Sequence, residues 1–185
     1  MCSSDLNELS LTSQKAQELT AYWRKLATKA GSIPNRTDFD PIAIPAILPS
    51  VFLIERLEEN TYRFRLLGTE FADRGVSDMT GIKLQRDDTK AGQRPIFGLL
   101  DRVLDTPCGL HFLGVEQSEQ GRQSLVEYVA LPLLDSNGAP KYIVGNASPL
   151  ATLGYDDEET VVEGPLIEVR EVREVSVKDT ESNIA

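Results

Sequence analysis

The chain is poor in the residues that build covalent or metal-held frameworks. Its 185 residues include two cysteines, Cys2 and Cys108, and one histidine, His111. Two thiols cannot make a disulfide framework, and no Cys/His cluster has the spacing of a zinc site. With a single histidine, any catalytic triad that contains one depends wholly on His111. The glycine-rich phosphate loop and the G-x-S-x-G elbow are also missing. No apolar run approaches the ~20 residues that cross a bilayer. The first residues, MCSSDLNELS, lack a basic start and an apolar stretch, so they do not read as a secretory signal. These absences predict a cytoplasmic protein with no membrane association. Basic residues are scarce too: 19 Lys and Arg stand against 29 Asp and Glu, for a formal net charge of −10. That balance argues against nucleic acid and anionic lipid as partners, because phosphate backbones are bound by clustered cations.

What is present is the patterning of one domain with a real core plus appendages. Ala16, Leu19, Trp23, Leu26, Ala27 and Ala30 recur at three- and four-residue spacing and predict a helix from about Ser10 to Ala30, stopped by Gly31. Its stripe needs a partner, and Trp23 is the candidate interaction residue, docking either on the chain's own sheet or against another subunit. Residues 31–50 are studded with proline. Asp40 followed by Pro41 reads as a capped helix start, and Pro45 and Pro49 limit the segment to short turns. Val51–Arg56 and Thr61–Leu67 read as a hairpin around Glu58-Glu59-Asn60. In its second strand Tyr62, Phe64 and Leu66 are expected to face inward and the arginines beside them outward.

Gly68 then ends the strand by its backbone freedom, Thr69 caps a one-turn helix over Glu70–Arg74, and Gly75 closes it. Asp78 is expected to cap a turn at Thr80. Residues 82–94 read as a polar connection. A helix with Ile96, Leu99, Leu100, Val103 and Leu104 on its apolar face follows, starting at Pro95 or, with a kink there, near Asp88. Strands are predicted at 110–116, 122–134 and 141–147, the last two joined by DSNG at 135–138. Val161 to Val177 alternates in part, which predicts one more strand that extends the sheet or exchanges between subunits.

Gly75 and Gly81, flanking a short loop and followed by Ile82 and Leu84, resemble the Gly-Tyr-x-x-x-x-hydrophobic-x-Gly signature of PAS domains. YW at 22–23, DFDP at 38–41, IPAILP at 44–49, YRFRLLGT at 62–69, DMTG at 78–81 and ALPLL at 130–134 make the chain similar to a group of small, stand-alone bacterial PAS proteins over about residues 20–150. The resemblance implies an α+β fold: a PAS-like five-stranded antiparallel sheet with short helices and one long helix on one face, plus an N-terminal helix and a C-terminal strand. The element order read from the residues, ββ–α–βββ, agrees with it independently. The expected division is a disordered N-terminus at 1–9, the helix and proline-rich entry at 10–48, the core at 49–150, and the extra strand with a disordered tail at 151–185.

In such a fold the bulky candidates for a pocket are Phe64, Leu66, Phe71, Phe97, Phe112, Tyr128 and Tyr142, with His111 as a hydrogen-bonding group. The same residues could simply fill the core. Glu127 alternates with Leu125, Val129 and Leu131, so a carboxylate is expected on an apolar face and needs a partner; Arg63, Arg65 and Arg122 are candidates. PAS domains generally bind haem from a helix, whereas His111 lies on a strand. Flavin-photosensing PAS domains use a cysteine in an Asn-Cys-Arg motif, which is missing around Cys108. Haem and flavin are therefore not expected, while an unidentified small-molecule ligand is.

The implied function is a sensory, ligand-binding module with no catalytic output domain. It would form a homodimer and signal to an unidentified protein by changed contacts. Two alternatives remain open: a ligand-free scaffold for protein contacts, and a small enzyme using His111 with Glu127 or Asp78 as an acid–base pair.

Overall fold

A computed structural model describes residues 11–86, 94–118, 121–155 and 166–176. Seven strands form one antiparallel sheet: β1 (Val51–Glu58), β2 (Thr61–Leu67), β3 (Lys83–Gln85), β4 (Cys108–Gln117), β5 (Arg122–Leu134), β6 (Pro140–Tyr155) and β7 (Leu166–Ser176). Their spatial order is β3-β2-β1-β6-β5-β4-β7. The helices are α1 (Gln14–Ala30), the one-turn α2 (Glu70–Asp73) and α3 (Arg94–Asp105), with three short 3-10 turns between α1 and β1. The expected disordered N-terminus at 1–9, the disordered C-terminal tail and a helix start near Asp88 lie outside the described residues.

The middle of the sheet is buried on both faces. On one, α1 lays its stripe of Ala16, Leu19, Trp23 and Ala27 over Val51, Leu53, Val129, Leu131, Leu133 and Val144. Ser13 caps α1, its Oγ accepting from the Ala16 N–H at 3.4 Å, and Gly31 ends the helix at φ 66°. On the other face, α2 and α3 cover Phe52, Ile54, Leu110, Phe112, Tyr128 and Ala130. Adjacent residues of β1 and β5 thus belong to different cores, as the two-residue period of a strand requires.

Four local expectations are corrected. A bulge at Arg65 (Leu53 pairs with Leu66, Ile54 with Phe64) breaks the alternation of β2, so Leu66 turns to the α1 face and Leu67 takes its place opposite. Gly68 is required for space rather than for backbone angle, because a Cβ there would collide with the Pro49 carbonyl. Thr69 makes no side-chain cap to α2. Lys83–Gln85, expected within the polar connection at 82–94, pairs with Thr61–Arg63 as β3, a short strand beside the expected sheet.

Other expectations are met. Asp40 accepts from Ile42 N–H at 2.9 Å and Asp78 from Thr80 N–H at 2.9 Å. The C-terminal strand exists and pairs with β4 of its own chain, extending the sheet. β6 runs through residue 150 to Tyr155, past the expected end of the core.

Candidate functional site

The core under α3 is not filled. A cavity of about 160 Å³ lies between the sheet and the α2–α3 side. Rings make much of its wall: Phe52, Phe64, Phe71, Phe97, Phe112 and Tyr128, with aliphatic side chains such as Ile54, Leu67, Leu100 and Leu110 between them. Phe112 and Tyr128 stack in parallel with centroids 4.6 Å apart, because they are cross-strand partners in β4 and β5. Phe97 reaches the cavity from α3 and packs edge-on against Tyr62 at 5.7 Å. The Tyr62 hydroxyl donates to Asp101, which also pairs with Arg86 and so ties α3 to β2 and the end of β3.

One end of the cavity is polar. Glu116 is on the same face of β4 as Leu110 and Phe112, and its side chain is almost wholly buried. Its Oε1 accepts from the Tyr128 hydroxyl, and its Oε2 accepts from Arg74 Nε at 3.0 Å. Arg74 sits just past α2, its guanidinium 4.4 Å from the centroid of the Phe71 ring. A buried carboxylate is tolerated here because it is paired and hydrogen-bonded. Burial, and then the Glu116 charge, push the Tyr128 phenol well above its ordinary pKa.

The structure brings Phe64, Phe71, Phe97, Phe112 and Tyr128 of the expected set around this cavity. It places Leu66, Tyr142 and His111 elsewhere. Leu66 is turned away by the bulge. Tyr142 packs beside the α1-face core, its hydroxyl 3.5 Å from Glu55. His111 alternates with Leu110 and Phe112 and therefore points to the opposite face.

There His111 Nε2 lies 3.0 Å from Glu127 Oε1, so the pair imagined for an enzyme does form. Glu127 has no exposed surface, and its carboxylate also accepts the N–H groups of Thr12 and Ser13, at 2.8 and 2.7 Å, just ahead of α1. None of the three arginines weighed for Glu127 is its partner. Neither His111 nor Glu127 lines the cavity, and what the pair holds is the start of α1. Trp23 is fully buried on its own sheet, donating from Nε1 to the Pro132 carbonyl at 2.9 Å, so it is a docking residue rather than a surface for a partner. Cys108 is buried in the α3-side core.

Sequence reasoning missed Phe52, Ile54, Arg74 and Glu116. Glu116 was findable, since 110, 112, 114 and 116 share one face of a strand. Phe52 was not, because Val51–Ile54 is apolar at every position and no period selects a side.

An antiparallel sheet covered on one face by a short and a longer helix, with a cavity between the layers, defines a domain of the α+β class. The particular family follows from comparison: the family model of the PAS domain matches residues 11–148, and the chain belongs to that family. No curated protein and no solved structure gives a significant match.

Proposed function

We propose that this PAS domain is a sensory module, which holds a small apolar molecule in the cavity and reports its presence by changed contacts with another protein or with a second copy of the chain. The observation that carries the reading is the unfilled, ring-walled cavity of about 160 Å³ between the sheet and the α2–α3 side. Interiors leave few gaps larger than a water molecule, and a partly open cavity of this size with an apolar, ring-lined wall is what a small-molecule site looks like. A ligand-free scaffold has no use for it.

The route outward is built into the sheet. In β5, Tyr128 and Ala130 face the cavity while Val129 and Leu131 carry α1; in β1, Phe52 and Ile54 alternate with Val51 and Leu53 in the same way. A ligand that favours one placement of these strands therefore favours one placement of α1. The proposed role is binding without catalysis, and the two polar side chains at the cavity support it by being hydrogen-bonded to one another.

The test is native mass spectrometry of freshly purified protein beside its denatured mass, repeated with Leu100→Trp to fill the cavity. The expected result is a small mass retained by the native protein, released on denaturation and lost in the variant. A native protein that carries nothing and takes up no added toluene would contradict the reading.

A further inference from the structure

The polar end of the cavity restricts what can enter, an inference that rests on the ligand-binding reading above. We infer that the ligand is a small, flat, uncharged molecule carrying one hydroxyl, of the class of a substituted phenol or benzylic alcohol, and that its hydroxyl donates to Glu116. The size follows from the cavity, whose 160 Å³ compares with the ~150 Å³ of an apolar protein cavity that takes up benzene. The flatness follows from the stacked Phe112 and Tyr128 and the other rings of the wall.

The hydroxyl follows from a count of donors and acceptors. Among the described lining residues only Glu116 and Tyr128 have polar side chains, and the one side-chain donor, the Tyr128 hydroxyl, is already given to Glu116. The Glu116 carboxylate has about four lone-pair positions, of which Tyr128 and Arg74 take two. The cavity thus offers acceptors and no free side-chain donor. Arg74 does carry a buried, unpartnered Nη2, but Arg74 is not among the cavity's lining residues; it lines a neighbouring void of about 10 Å³, the size of one water molecule, which shares Glu116 and Val76 with the cavity. A ligand carboxylate would meet the Glu116 charge in a low-dielectric site whose lining side chains offer it no free donor.

Three probes of one shape test this: toluene, p-cresol and p-toluate, each titrated into the full chain by calorimetry at neutral pH. The expected order is p-cresol tighter than toluene by about tenfold or more, as for a hydrogen bond to a charged acceptor, with p-toluate not bound. In Glu116→Gln the advantage of p-cresol over toluene should fall several-fold, while toluene, which needs only the apolar wall, shows that the variant still folds around the cavity. If the variant loses toluene as well, the wild-type order alone decides. Equal affinity for toluene and p-cresol in the wild type, or tightest binding of p-toluate, overturns the inference and leaves the ligand-binding reading standing. Failure of all three probes overturns both.

Discussion

Glu127 shows best how a single side chain is fixed by its surroundings. A fully buried carboxylate must be paired, and here two backbone N–H groups and an imidazole surround it. Because a carboxylate only accepts, His111 must present Nε2–H to it. The need for a partner was legible from the alternation of Glu127 with Val129 and Leu131. The partners were not, because backbone N–H groups more than a hundred residues away leave no mark in the pattern of side chains. Glu127→Ala should leave two amides and an imidazole unsatisfied and cost about 3–5 kcal/mol, read from urea denaturation. A loss within 1 kcal/mol would show that water replaces the carboxylate and that the pair holds nothing.

Tyr128 and Tyr62 give a second prediction at this scale. Burial is the main cause that raises both phenols, and the carboxylates of Glu116 and Asp101 raise them further. A group whose pKa is raised on folding contributes stability that is complete below its unfolded value, about 10 for tyrosine, and is lost as pH rises towards the folded value. Stability should therefore fall above pH ~10. In absorbance at 295 nm these two tyrosines should ionise together with unfolding, as Tyr62→Phe and Tyr128→Phe difference titrations will show. Ionisation of either phenol near pH 10 in a protein that stays folded would contradict this.

Among the elements, α1 and α3 were legible by their helical period, and the two hairpins by the turn signals that join their strands. Asn60 at φ 63° and Gly138 at φ 79° are the turn residues that the hairpins need. β3 was not legible. Lys-Leu-Gln has no alternation long enough to see, and it is a strand only because β2 offers it an edge. The bulge at Arg65 was also invisible, since YRFRLL reads as an unbroken period, and with it went the side of Leu66.

The docking of α1 carries the prediction that belongs to this scale. Trp23 buries its whole ring and gives its N–H to Pro132. Trp23→Ala should cost about 3–5 kcal/mol, and hydrogen exchange should speed up first in α1 while β5 keeps more of its protection. Uniform loss of protection across α1 and the sheet would mean that helix and sheet open as one unit.

The whole molecule is one sheet between two unlike layers. The α1 layer buries its apolar stripe against the sheet and is pinned at the helix start by Glu127. The α2–α3 layer covers a partly open cavity with a single polar end. The family and the order of the elements could be read from the sequence, because glycines, turns and periods carry them. The cavity could not, because the same rings would line a void or fill it, and only their placement decides. Five of the eight residues named for a pocket meet there. The three that do not were turned away by strand parity and one bulge. The most direct test of a ligand cavity in this layer is a two-dimensional amide NMR titration of the intact protein with toluene. The account predicts saturable shifts confined to the cavity wall on β1 to β5, α2, the loop after it and α3, with smaller shifts relayed to α1. Saturating toluene that moves no resonance, or moves only scattered surface residues, would contradict it.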